Sequence, residues 1–141
     1  MPMSPFLIFL LAVIFSICVF AVVKGGPAER RAGLIFAAGT IGVELIHFTT
    51  PRELQGGLLL AMDGFVAGGF LLLALRYTSG WLGGAMILQA IQFSLHAYYF
   101  VTGVRRGDTY AMINNIDSAG VLLCLVVGTT VAWRRRARAE K

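Results

Sequence analysis

Charge is what this chain has least of. Its 141 residues include 12 lysines and arginines and 7 aspartates and glutamates, 13% of the total. A soluble domain carries roughly one quarter charged residues, so a water-facing globular surface is excluded. With 57% hydrophobic residues and a mean hydropathy of +0.78, the composition is that of an all-α integral membrane protein. Cysteine is also scarce. Cys18 and Cys124 each lie in an apolar run, which excludes a disulfide framework or a zinc cluster and leaves two small hydrophobes. No serine or cysteine stands beside a base, and there is no phosphate loop or dinucleotide fingerprint. No internal repeat points to an inverted-repeat transporter. The formal charge of +5 does not indicate nucleic acid, because the basic residues flank hydrophobic runs.

Those runs are the content of the chain. A membrane-spanning helix needs about 20 mostly apolar residues. Five segments qualify: Pro5–Val23, Gly33–Phe48, Gly56–Leu75, Trp81–Thr102 and Thr109–Trp133. Residues 1–141 thus read as a single transmembrane domain ending in a basic tail, 134–141. The first run reads as a retained helix and not a cleaved signal. Met1–Phe6 carries no basic side chain, and no small-x-small site precedes Lys24. Short connections marked by Gly25, Gly26, Pro27 and Pro51 place successive helices side by side.

The basic residues orient the bundle. Lys24, Arg30, Arg31, Arg76, Arg134, Arg135, Arg136, Arg138 and Lys141 all fall on one side. The other side has Arg52, Arg105 and Arg106, partly balanced by Glu53 and Asp108. The positive-inside rule gives an outer N-terminus and an inner C-terminus, in a bacterial cytoplasmic (inner) membrane. Trp81 and Trp133 then mark the inner interface, and Tyr98, Tyr99 and Tyr110 the outer one.

Five ionisable residues interrupt the apolar runs: Glu44, His47, Asp63, His96 and Asp117. Charge at bilayer depth costs several kcal/mol unless it is paired, protonated or coordinated, so such residues are functional-site candidates. At about 1.5 Å of rise per residue all five share one layer, the deeper ones roughly 10 Å below the outer boundary and His47 the shallowest. Helical phase aims them inward. Glu44 and His47 share a face, with Thr40 one turn below. Gln89, Gln92, His96 and Tyr99 draw one stripe. Asn114 and Asp117 share a face, with Asn115 and Ser118 on the neighbouring strip. Lipid offers such groups no partner, so spans two to five are expected to surround an outer-leaflet polar site, with span one outside it or against another subunit. The small-residue spacing Gly64-x-x-x-Gly68 would let the third span approach its neighbours closely.

Three acids and two imidazoles suit a divalent transition metal: zinc, iron, manganese or copper, as one centre or two. Glu44-x-x-His47 is half of the pattern that di-metal bundles repeat on two helices. Thr40, Gln92, Tyr99 and Asn114 would orient the ligands, and Arg52, Arg105 and Arg106 would line the outer mouth. An open metal position would permit hydrolysis or redox chemistry. Other readings use the same residues. The cluster would relay or sense protons; His47 and His96 would ligate a b-type haem; or the polar groups would only fix helix register in an accessory subunit. The partners implied are the lipid bilayer and either further copies or a larger membrane complex. The topology has a direct check. Alkaline phosphatase fused after Thr50 or Arg105 is expected to be active, and fused after Gly26, Ser79 or Lys141 silent; the reverse pattern would overturn the orientation.

Overall fold

Proline and glycine set most of the helix ends. The computed structural model describes residues 4–141, and within them every regular element is a helix. α1 (Pro5–Lys24) opens with the Ser4 hydroxyl accepting from the Leu7 backbone N–H at 3.2 Å and with Pro5 in its first turn. It stops at Gly25, and α2 (Pro27–Thr49) restarts at once on Pro27. α3 (Arg52–Arg76) follows Pro51. α4 (Gly80–Thr102) ends at Gly103, whose φ of 66° is a left-handed cap that glycine adopts without steric cost. α5 (Asp108–Ala139) completes the chain.

Three boundaries differ from the sequence reading by more than one residue. α3 starts at Arg52 and not at Gly56. α2 starts at Pro27 and not at Gly33, because Glu29, Arg30 and Arg31 lower hydropathy without interrupting helical hydrogen bonding. α5 runs 32 residues, so Arg134–Ala139 of the basic tail continue the helix. Four helices, α1, α2, α3 and α5, are long and apolar enough to cross a membrane. α4 has a similar length of 23 residues but carries Gln89, Gln92, His96 and two tyrosines, which dilute its hydropathy.

The helices close a ring in chain order. Each touches its sequence neighbours, α5 returns to α1, and α2 also reaches α5. α2 to α5 therefore surround a common interior, as the polar stripes imply. α1 is less peripheral than its composition suggests: it fills the space between α2 and α5. We call the end bearing the α2–α3 and α4–α5 connections the upper end.

The lower half is tightly packed around the fully buried Phe70, Leu82, Val121 and Leu125. Absent side chains permit this closeness. A Cβ on Gly39 would stand 2.5 Å from Val66 Cγ2, and one on Gly128 would stand 2.5 Å from the Trp81 ring. On α3 the close approach falls at Gly69, where a Cβ would lie 3.0 Å from Ile35; Gly68 meets nothing within 4 Å. The Gly64-x-x-x-Gly68 spacing is thus not the contact, since helix phase turns Gly69 toward α2. A polar latch accompanies this packing. The Trp81 indole donates to the buried Glu29 carboxylate at 3.1 Å and ties the start of α4 to the first turn of α2. Outside, Leu72, Leu75 and Val101 are among many exposed apolar side chains, as a lipid-facing surface requires. Gly128→Ala is expected to lower stability by about 1–3 kcal/mol through overpacking against Trp81. Gly83→Ala, which meets open space, is expected to be neutral or mildly stabilising. Unfolding of the two variants in detergent measures the difference.

Candidate functional site

The upper half of the ring does not close on itself. It encloses a cavity of about 330 Å³. α1 contributes Leu7, Leu10, Leu11 and Ile14, an apolar wall. The facing walls carry Thr40, Glu44 and His47 from α2, Asp63 from α3, Gln89, Gln92 and His96 from α4, and Tyr110, Asn114 and Ser118 from α5. Arg106 lines it from the α4–α5 connection. The exposed His47 and Arg106 mark where the cavity meets the upper surface.

At its centre is a buried network. Asp63 Oδ2 and His96 Nδ1 are in direct contact. The other ring nitrogen, Nε2, lies 3.1 Å from Asn114 Oδ1. That oxygen already accepts from the Gln92 amide at 2.9 Å, and the same amide nitrogen donates to Ser118 Oγ at 3.3 Å. The protons follow from this arrangement. Asn114 Oδ1 is an acceptor, so His96 Nε2 carries a hydrogen. Nδ1 and the carboxylate oxygen would repel as two lone pairs, so a favourable contact between them requires one proton. The pair is either imidazolium with carboxylate or imidazole with carboxylic acid. Both forms are neutral overall, which makes burial tolerable where a lone charge would not be.

Aromatic rings extend the network upward. His96 and Tyr110 have ring centroids 5.4 Å apart, Tyr110 and Tyr99 5.0 Å, and Tyr99 and Tyr98 5.4 Å. The Arg106 guanidinium sits 5.0 Å from the Tyr110 ring centroid. Tyr99 therefore supports the site through Tyr110 and does not line the cavity. Thr40 spends its hydroxyl on the Phe36 carbonyl at 2.9 Å.

Four of the five ionisable residues of the sequence layer line one cavity: Glu44, His47, Asp63 and His96. They do not form one cluster. Among the described residues no three His, Cys, Asp or Glu side chains stand close enough to hold a single metal ion. The two ring nitrogens of His96 face Asp63 and Asn114. Asp117 departs most from expectation. It is 4% exposed with Oδ2 unpartnered, yet it stays out of the cavity lining. Asn114 and Ser118, one turn apart, face the cavity, so Asn114 pairs with Ser118 and not with Asp117. Of the outer arginines only Arg106 reaches the site; Arg52 and Arg105 are exposed elsewhere.

Two polar residues gain importance from the structure. Gln89 is 2% exposed on the cavity wall, with Oε1 unpartnered. Its place in the α4 stripe was the available signal. Glu29 is the buried acid of the lower half, and its signal was weaker: a carboxylate in the first turn after a helix-starting proline. The Asp63–His96 contact is measurable as a coupling. Asp63→Ala alone is expected to cost about 3 kcal/mol, because it strands the imidazole. A double-mutant cycle with His96→Ala should return a coupling of about 1–3 kcal/mol. Additive losses would mean the two groups do not interact. No family model, curated protein or solved structure matches this chain, so function rests on this geometry.

Proposed function

We propose that the chain is a five-span integral membrane protein, N-terminus out and C-terminus in, that takes up and releases a proton at Asp63 and His96 through its upper cavity. The setting is a bacterial cytoplasmic membrane, as the basic residues grouped at the lower end imply. One observation carries this reading: a carboxylate and an imidazole are in direct contact inside an apolar bundle, beside a cavity that reaches the surface. Such a pair remains neutral as the proton moves between its members. Gaining or losing a proton gives it a net charge that the surrounding helices must accommodate. The fully buried apolar layer beneath the cavity favours a one-sided proton site, a pH-responsive switch or half-channel, over a continuous pore. α4 spans the membrane between α3 and α5, which face its polar stripe.

A second reading is a metal site at the same cavity, favoured by Glu44 and His47. They share a helix face on its wall and make no hydrogen bond or ion pair there among the described residues. A metal held by Glu44 and His47 would need Asp63 or His96 to leave the present network. The two readings separate in one set of measurements. On a pH jump in liposomes, infrared difference spectra are expected to show a carboxyl signal that disappears in Asp63→Asn and changes in His96→Gln. Elemental analysis runs in parallel. Stoichiometric metal in the wild type, lost in Glu44→Ala and His47→Ala, together with no Asp63 signal, would replace the proton reading by the metal one.

A further inference from the structure

A second site lies on the outer surface of the bundle, at the lower end, away from the cavity. α2 and α3 border a groove of about 420 Å³ there, with Leu34, Ile35, Leu72 and Leu73 as its apolar walls and base. Gly69 lies between them; a Cβ there would stand 3.0 Å from Ile35, so its missing side chain keeps the groove open. Arg31 and Arg76 stand at its end. Their guanidinium carbons lie 5.9 and 5.7 Å from the ring centroid of one tyrosine, Tyr77, so both cations stand beside the same ring. Among the described residues neither arginine has a carboxylate partner, since the one ion pair is Asp63–His96.

We infer that this groove binds an anionic phospholipid, its acyl chain along the apolar floor and its phosphate between Arg31 and Arg76. Two guanidiniums lining one groove concentrate positive charge that no carboxylate offsets, and planar guanidinium forks match phosphate oxygens bidentately. The walls supply the second half of the recognition. Leu34 and Leu72 are 59% and 70% exposed, an apolar strip that a hydrocarbon chain covers and an aqueous phosphate does not. Basic pockets between spanning helices at the inner face suit anionic head groups for the same electrostatic reason. The inference requires the membrane-spanning reading but not the proton pair.

The test uses the full chain in neutral detergent, titrated with dioleoylphosphatidylglycerol and followed by thermal unfolding. Flotation with phosphatidylcholine vesicles, done first, tests membrane insertion separately. Phosphatidylglycerol is expected to raise the unfolding midpoint, and phosphatidylcholine and soluble glycerophosphoglycerol are not. Arg31→Gln/Arg76→Gln should weaken the apparent affinity roughly thirtyfold. Arg134→Gln/Arg135→Gln, in the helical tail, should leave it unchanged. If the double glutamine variant does not fold, Arg31→Lys/Arg76→Lys replaces it, with a smaller loss expected as the bidentate geometry goes. Equal protection by phosphatidylcholine would overturn the site. So would equal protection by the acyl-free head group, or a loss confined to the tail variant.

Discussion

Hydrocarbon offers no hydrogen-bond partner, so every polar group carried into a bilayer must find one inside the protein. The arrangement of α3, α4 and α5 is a response to that constraint. Asp63 needs a proton or a cation at its own depth, and His96 on the adjacent helix supplies it. His96 then needs an acceptor on its other face, which Asn114 of α5 provides, and Gln92 ties the same oxygen back to α4. Four side chains on three helices thus fix a rotation and a height for each. Apolar packing alone would leave both loosely specified, because lipid chains compete equally well for leucine surfaces.

The two ends of the bundle meet the constraint differently. Below, glycines bring backbones close enough for van der Waals packing, and the single buried acid, Glu29, takes its hydrogen bond from Trp81 at the interface. Above, the walls hold polar groups that cannot pack as tightly, and a cavity remains. α1 makes this tolerable. Its leucines line the side of the cavity between α2 and α5, so the polar wall faces an apolar one. A helix with no ionisable residue of its own in the site is therefore part of the site's construction.

The neutrality of the Asp63–His96 pair is what connects this architecture to function. A neutral pair is stable at depth and a change of one proton is not, which is the physical basis of the proposed proton site. Asp117 and Gln89 each bury a side-chain oxygen without a hydrogen-bond partner. Such atoms define where the bundle is least relaxed and where rearrangement on protonation would gain most.

The sequence by itself determined the helices and the layer. Apolar run length fixes membrane-scale segments, helical phase places polar residues on one face, and rise per residue sets their depth. That is why Glu44, His47, Asp63 and His96 were identifiable as occupants of one region. Partnership was beyond its reach. Periodicity gives a direction but not which neighbour answers it, so Asn114 was grouped with Asp117 when the cavity lies between Asn114 and Ser118. Hydropathy also hid Glu29 by placing the start of α2 too late. Only the tertiary structure decided that Asp63 and His96 meet each other, that Glu44 and His47 stand apart from them, and that α1 walls the cavity. Those outcomes depend on side-chain distances of a few ångströms between helices, and the one-dimensional pattern does not carry them.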